Sequence, residues 1–305
     1  MITARSFPTP DLLKKTNNPA AWDQLAGFAQ VQAAEANAAL ELLAERLATA
    51  AGAGERVAAF EAAFRHVSDW RYQVAASERW PRPYSDVEEF RTAIEPGNAR
   101  LYRVTPSVEE HDPGSPALLL RTELVQVAKD RLMGHSTLQN VVTLRDGRTV
   151  NGNLVSRSLY TGSITTETAT YEDREVLRQA SFETLAELET RRTDEARLDP
   201  QDPELRQKFT DAAYFLIQAP EMKRGSDAIM RTFLVAAHTR VFDAAPVLPQ
   251  AIDLDGMVRG QEAFSQVMRD QLRVLPPARE SAPAATEPDR APQNRAGRRT
   301  GGLTR

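Results

Sequence analysis

The chain has 305 residues and contains no cysteine. Disulfide bonds, thiolate catalysis and cysteine-based zinc sites are therefore excluded. Histidine is scarce: there are four, and no two of them have the local spacing of a metal-ligand pair. The sequence therefore assigns no metal ligand.

Long apolar runs are also lacking. No stretch is long enough to span a bilayer, and the N-terminal MITARSFPTPDLLKK lacks the apolar segment of a secretory signal. We therefore expect a soluble, cytoplasmic protein with no membrane partner, with export without a cleaved signal as the alternative. The formal net charge is −4, which does not call for a nucleic-acid partner.

Apolar residues with helical spacing fill the first and last thirds of the chain. Two such segments flank the AGAG sequence at residues 51–54 and predict an antiparallel helical hairpin. Asp202-Pro203-Glu204 predicts a helix start, because an acid can cap the helix and proline suits its first turn. Further helices are predicted from Glu172, from residue 226 to about 242, and over residues 256–275.

The middle of the chain is richer in valine, threonine and tyrosine. The segment NARLYRVTP is typical of a short strand, and Asp146-Gly147 in RDGR predicts a β-hairpin with a two-residue primed turn. We expect two to four short strands here. The predicted fold class is thus mainly α: a helical bundle with a small antiparallel β-hairpin insertion.

Four regions follow from these patterns. The last is rich in proline, alanine and arginine and nearly free of large apolar residues, so we expect it to be disordered. The regions are an N-terminal helical region (1–95), a β-containing insertion (96–171), a C-terminal helical core (172–275) and the tail (276–305).

The stretch QAPEMKRGSDAIMRTF, residues 218–233, places three cations around one helix start. Helix-start amides attract anions, glycine permits close approach, and helical side chains lean back towards the N-terminus. The sequence therefore predicts a phosphate site, with Ser226 or Asp227 capping the helix. The assigned ligand-binding residues are Lys223, Arg224, Gly225, Ser226 and Arg231, with Asp227 as the candidate catalytic base and Arg157 as a second phosphate contact.

A structural interpretation of the same stretch stays open. Asp227 could cap the helix and neutralise Arg231 while the other cations are solvated. A solvent-facing Arg231 beside a concave space favours the ligand site, whereas Arg231 bonded to Asp227 within a filled core favours a structural role. If the site binds phosphate, Arg231→Ala is expected to abolish binding at little cost in stability.

The order of parts over residues 204–268 resembles a Fic domain, in which a helix leads into a loop of pattern H-P-F-x-[DE]-G-N-G-R-x-x-R and then into another helix. Aligned on Gly225, this chain has Arg231 at the last arginine and Pro220 at the catalytic histidine. The resemblance implies a nucleotide pocket, and the missing histidine implies that ordinary AMP transfer is lost.

A second resemblance is to ADP-ribosyltransferases of the Arg, Ser-Thr-Ser, Glu-x-Glu type. Here LYR ends at Arg103, GHST supplies Ser136, and YEDREVL supplies Glu175. The resemblance implies an NAD site at these three residues, although REVLRQASFETL is typical of a helix rather than the strand that the family needs.

Two classes of function remain open from the sequence. The first is a divergent Fic-like protein that binds a nucleotide or nucleotide sugar, with or without Mg²⁺, and transfers a nucleotidyl or related group to a hydroxyl, on a protein target for example. The alternative is a non-catalytic interaction or effector-like accessory protein, with the ADP-ribosyltransferase-like reading as a second alternative.

Overall fold

The computed structural model describes residues 1–8, 14–77, 86–107, 109–195 and 197–276. The protein is mainly helical with a small antiparallel sheet, as predicted. Among the helices described, none combines the length and apolar character needed to cross a bilayer. The α-helices are α1 (Pro19–Thr49), α2 (Ala53–Ala76), α3 (Pro116–Leu132), α4 (Tyr171–Asp194), α5 (Pro203–Gln218), α6 (Ser226–Phe242), α7 (Ile252–Arg259) and α8 (Gln261–Gln271).

The predicted N-terminal hairpin is confirmed by α1 and α2, which pack side by side. His66 Nε2 on α2 lies 3.0 Å from Glu35 Oε1 on α1. The apolar faces of both helices join α4, α5 and α6 in one large buried cluster. Phe64, Phe182 and Phe233 meet at its centre with ring centroids 5.4–5.9 Å apart. The N-terminal and C-terminal helical regions therefore share a core.

The middle region contains a four-stranded antiparallel sheet of order β1-β4-β3-β2. It also contains α3, which the strand-like composition of its neighbours did not predict. A second buried cluster joins this helix and α7 to the sheet, around residues such as Leu124, Val155 and Val258. The strands are β1 (Leu101–Arg103), β2 (Thr137–Thr143), β3 (Thr149–Arg157) and β4 (Ile164–Glu167), and a separate pair is formed by β5 (Pro246–Val247) and β6 (Arg273–Val274).

The predicted hairpin at Asp146-Gly147 joins β2 to β3, but the turn type was wrong. Only Gly147 has a positive φ, of 87°, whereas a primed turn of the predicted type needs positive φ at both central residues. Gly147 N donates to Leu144 O, and Leu144 N donates to Arg148 O. The connection is therefore a three-residue loop that ends in a left-handed glycine.

The predicted last helix, 256–275, was also wrong in extent. Gly260, with a φ of 79°, separates α7 from α8, and α7 begins at Ile252, four residues before the predicted start. Beyond α8 the chain forms β6. The predicted disordered tail lies outside the described residues from 277 onwards.

Candidate functional site: the N-terminus of helix α6

Helix α6 begins where the sequence predicted, but its capping differs. The N-cap is Gly225 in a left-handed conformation, φ 81°, and no side chain caps the helix. Ser226 Oγ instead donates to Met222 O at 3.3 Å, and Asp227 bonds elsewhere. Neither residue has the predicted capping role, because the glycine turn replaces a capping side chain.

Gly225 is needed for close approach as well as for its φ. A Cβ atom at this position would lie 2.9 Å from both Arg71 Cγ and Phe90 Cδ1. The Arg71 guanidinium stacks over the Phe90 ring at 4.3 Å from the centroid. The groups that approach this glycine closely are therefore the side chains of Arg71 and Phe90, rather than a ligand.

Lys223 and Arg224 lie against the segment that contains Glu89. Lys223 N donates to Thr92 O, and Arg224 N donates to Glu89 O. The Arg224 guanidinium also bonds the Glu89 carboxylate. The two cations thus face an internal carboxylate.

Arg100 makes a second set of contacts with Glu89, through both terminal nitrogens at 3.4 Å. The bond from Arg224, together with the charges of Arg100 and Lys223, holds the pKa of Glu89 below its usual range. Three cations thus surround one acid. This arrangement explains part of the positive charge that the sequence places before α6.

Arg231 reaches back over the first turn, as predicted, but it is buried. Its side chain is only 3% exposed and bonds Asp227 Oδ1 at 3.1 Å. It also donates to Pro249 O at 2.8 Å and to Gln250 O at 2.7 Å. By the criterion drawn from the sequence, this geometry favours a structural role for Arg231.

Asp253, at the start of α7, adds a charge that the sequence did not single out. Burial raises its pKa to about 7; nearby Asp227 acts in the same direction, and Arg231 and Arg121 oppose it. Its Oδ1 is buried without a hydrogen-bond partner among the described residues. A backbone hydrogen bond from Leu254 also acts on this carboxyl and opposes the rise in its pKa, so the unpaired atom is Oδ1 alone. A buried polar atom without a partner is uncommon in proteins and calls for an explanation.

Arg121 on α3 is close enough to the same carboxyl for its charge to oppose the rise in the Asp253 pKa. Its Nη1 donates to Arg103 O at 2.9 Å, while its Nε is buried without a partner in the described part of the chain, as is the Nε of Arg231. Arg121, Asp227, Arg231 and Asp253 thus form one charged group from three helices, which we call the α6 cluster. Solvent reaches the cluster at Asp227, whose side chain is 31% exposed.

Tyr102 on β1 neighbours the α6 cluster, and the charge of Asp253 acts on its phenol. Burial raises the pKa of its phenol, and the neighbouring Ser226 hydroxyl opposes that rise. Burial lowers the pKa of the Arg121 guanidinium, and the charge of Arg103, the residue after Tyr102, acts in the same direction. The backbone carbonyl of Arg103 also accepts a hydrogen bond from Arg121 Nη1.

The other predicted residues lie elsewhere. Glu175 is on α4 and pairs with Arg178. Ser136 is in the turn after α3, where its carbonyl accepts from Arg157 N at 2.7 Å. Within the described residues, no hydrogen bond or ion pair joins Arg103, Ser136 and Glu175.

Arg157 shares a surface cleft with Ser136, in the turn region at the end of β3. Its side chain makes no hydrogen bond or ion pair with any residue that the structure describes. Arg157 thus lies in a cleft that the residues of the α6 cluster do not line, and its predicted role as a second phosphate contact stays a prediction.

The sequence signals for the missed residues are weak. Asp253 is an acid between two apolar residues in AIDLDG, and Arg121 follows three leucines in LLLRTELV. Either pattern marks a charge that borders a buried face, but neither indicates that the two residues meet. Across the described residues, no group of three or more His, Cys, Asp or Glu side chains could hold a metal ion.

No protein-family model matches the chain, and a search of curated proteins found no match. The resemblances to the Fic domain and to ADP-ribosyltransferases stay predictions.

Proposed function

We propose that this chain binds a phosphate-bearing ligand, a nucleotide or nucleotide sugar, at the α6 cluster. The observation that supports the proposal is the convergence of two arginines and two aspartates that leaves Arg121 Nε, Arg231 Nε and Asp253 Oδ1 buried without partners. A cluster formed only for stability would pair these atoms, because an unpaired buried polar group costs about 1–3 kcal/mol.

The chemistry of the cluster suits such a ligand. Guanidinium groups form strong, directional hydrogen bonds to phosphate oxygens. Arg121 is the arginine nearer the surface, while Arg231 anchors Asp227 and the loop before α7. The α6 amides add partial positive charge at the same point.

The two carboxyls would take the proton in a transfer reaction. As an acceptor hydroxyl bonds to the transferred group, a carboxylate accepts its proton, and the leaving phosphate departs with the electron pair of the broken bond. Asp227 is the accessible base, and Asp253 has a pKa close to neutrality, which suits proton exchange. Mg²⁺ would enter with the phosphates of the ligand.

A thermal-shift panel tests the proposal. ATP, a UDP-sugar, NAD and inorganic phosphate are each added with and without Mg²⁺. A ligand present at a hundred times its dissociation constant should stabilise the native state by about 2.7 kcal/mol. Arg121→Gln should abolish the shift, whereas Arg46→Gln, at an exposed arginine on α1, should retain it.

The result can go against the proposal in two ways. The ligand site is rejected if no panel member shifts the wild-type melting temperature at millimolar concentration. It is also rejected if Arg121→Gln binds the active compound as well as Arg46→Gln does. Transfer is distinguished from binding by adding a hydroxyl acceptor and measuring whether the leaving group is released from the bound ligand.

A second candidate function is a non-catalytic interaction protein. It is favoured by the burial of Arg231 and its three bonds to protein atoms. In that case the α6 cluster is a structural joint between α3, α6 and α7. A ligand panel in which no compound shifts the melting temperature would support this candidate, whereas destabilisation by Arg231→Ala is expected under both.

A further inference from the structure

Two neighbouring turns expose the largest apolar side chains of the sheet end. Met133, after α3, is 84% exposed; Leu159 is 83% exposed and Tyr160 is fully exposed in the turn between β3 and β4. The bond from Arg157 N to Ser136 O holds the two turns together. Single exposed apolar residues are ordinary, but a group of three on adjacent turns marks an interaction surface.

A cleft of about 430 Å³ lies between the same turns. That volume falls in the range of sites that accept a ligand or a partner's side chains. Basic or hydroxyl side chains line much of the cleft, and no acid lines it. They include His135, Ser136, Arg157, Ser158 and Thr161. The Arg157 guanidinium, which bonds to no described residue, supplies an unneutralised positive charge beside the apolar group.

The backbone at Met133 is a second, independent sign. Its φ is +48°, in the left-handed region that favours glycine or asparagine. The position ends α3, and the exposed side chain adds little to packing. A long apolar side chain in this conformation lowers stability, and little packing among the described residues offsets that cost.

We propose that this surface, formed by Met133, His135, Arg157, Leu159 and Tyr160 and called the turn surface, binds an acidic segment of another protein. Arg157 pairs with a carboxylate of the segment, and an apolar side chain of the segment packs against Met133 and Tyr160. Tyrosine, arginine and methionine are the residue types enriched at such interfaces. The proposal does not depend on the ligand site at α6.

A second copy of this chain fits the turn surface less well. A two-fold interface places the same patch of both subunits face to face, and no acid lines this cleft that could pair with Arg157 of the other copy. A carboxylate from an acidic partner would instead pair with Arg157.

The experiment is a selection from a display library of random twelve-residue peptides on the wild-type protein. Peptides that also bind the Arg157→Ala/Tyr160→Ala double variant are removed. We expect the retained peptides to be enriched in Asp and Glu next to an aromatic or aliphatic residue. An enriched peptide, synthesised, should bind at least tenfold more weakly to Arg157→Ala and to Tyr160→Ala, as measured by fluorescence anisotropy.

Two further variants guard against loss of fold. Met133→Gly should raise the melting temperature and weaken binding of the peptide. General unfolding cannot produce that combination. Leu119→Ala removes an equally apolar side chain, 62% exposed, on the first turn of α3 and should leave the affinity unchanged.

Other outcomes overturn the proposal. Retained peptides without acidic enrichment, or equal binding by Arg157→Ala, would remove the acidic partner. Sedimentation showing a wild-type dimer that Tyr160→Ala dissociates would assign the turn surface to self-association. Binding to phosphatidylserine vesicles that depends on Met133 and Tyr160 would assign it to a membrane.

Discussion

The burial of Arg231 sets what its replacement will do. Arg231→Ala removes a bond to Asp227 and two bonds to the carbonyls of Pro249 and Gln250. Loss of a buried cation that is bonded at several points costs about 2–4 kcal/mol, reduced here because Asp227 can turn to water. Urea unfolding should show that loss, contrary to the small effect expected from the sequence. Arg157→Ala, at an exposed arginine, should change stability by less than about 0.5 kcal/mol, and equal effects would contradict this account.

Asp253 makes stability depend on pH in a direction that can be tested. Its pKa rises from 3.8 unfolded to about 7 folded. Between these values the native state binds a proton that the unfolded state has lost, so the Asp253 contribution to stability falls as pH rises from about 4 to 7. Above pH 7 the loss is complete.

Asp253→Asn removes this dependence. Urea unfolding at a series of pH values should show the variant gaining stability relative to wild type by up to roughly 1.4 kcal/mol per pH unit between pH 4 and 7. A wild-type and variant difference that stays constant with pH would contradict the raised pKa. The comparison must be made between the two proteins, because His238 acts in the opposite direction.

His238 is buried, and burial lowers its pKa to about 4. Its Nδ1 lies 2.8 Å from Ala244 O, so the neutral ring donates there. Between pH 4 and 6.5 the unfolded state binds the proton that this histidine excludes, and stability therefore rises with pH. In the wild type the two residues partly cancel.

At the scale of single elements, local signals could be read from the sequence and non-local ones could not. Asp202 caps α5 as predicted, accepting from Glu204 N and Leu205 N, because the cap, the proline and the first turn lie within four residues. The expected cap at α6 failed, since the packing of Arg71 and Phe90 against Gly225 depends on distant segments. The α6 cluster likewise combines α3, α6 and α7, whose contacts no spacing reveals.

Two glycines allow a matched test of this close approach. Gly147 and Gly225 have φ values of 87° and 81°, but a Cβ at Gly147 meets nothing within 4 Å. Gly147→Ala should therefore cost only the left-handed conformation, about 1–2 kcal/mol. Gly225→Ala should cost a further 1–3 kcal/mol or so, from overpacking against Arg71 and Phe90. Equal losses of unfolding free energy would show that the side chains move aside freely.

At the scale of the whole molecule, buried amides connect the sheet to the helical core. The Gln218 side chain at the end of α5 accepts from Asn153 N at 2.9 Å and donates to Gly256 O at 2.8 Å. The Asn140 and Asn153 side chains both donate to Met257 O. The two hydrophobic clusters are thus joined by polar contacts that are satisfied only when the sheet, α5 and α7 are all in place.

These buried amide contacts, which we call the amide joint, predict that the molecule unfolds as one unit. Gln218→Ala leaves Asn153 N and Gly256 O without their partners, which should cost about 2–4 kcal/mol. Amide hydrogen exchange should then show the same loss of protection in β3 and in α6, because both open through global unfolding. Protection lost in β3 alone would mean that the two clusters unfold independently.

Substitution of Gly152 tests the amide joint independently. A Cβ there would lie 2.3 Å from Gln218 Oε1, so Gly152→Ala in the wild type must displace the amide and break its bonds. In a Gln218→Ala background the obstructing atom is gone, and Gly152→Ala should cost much less. We expect a double-mutant cycle on unfolding free energies to give a coupling of about 1–3 kcal/mol. Additive effects would show that Gln218 does not fill the space above Gly152 and that its amide does not couple the sheet to α5.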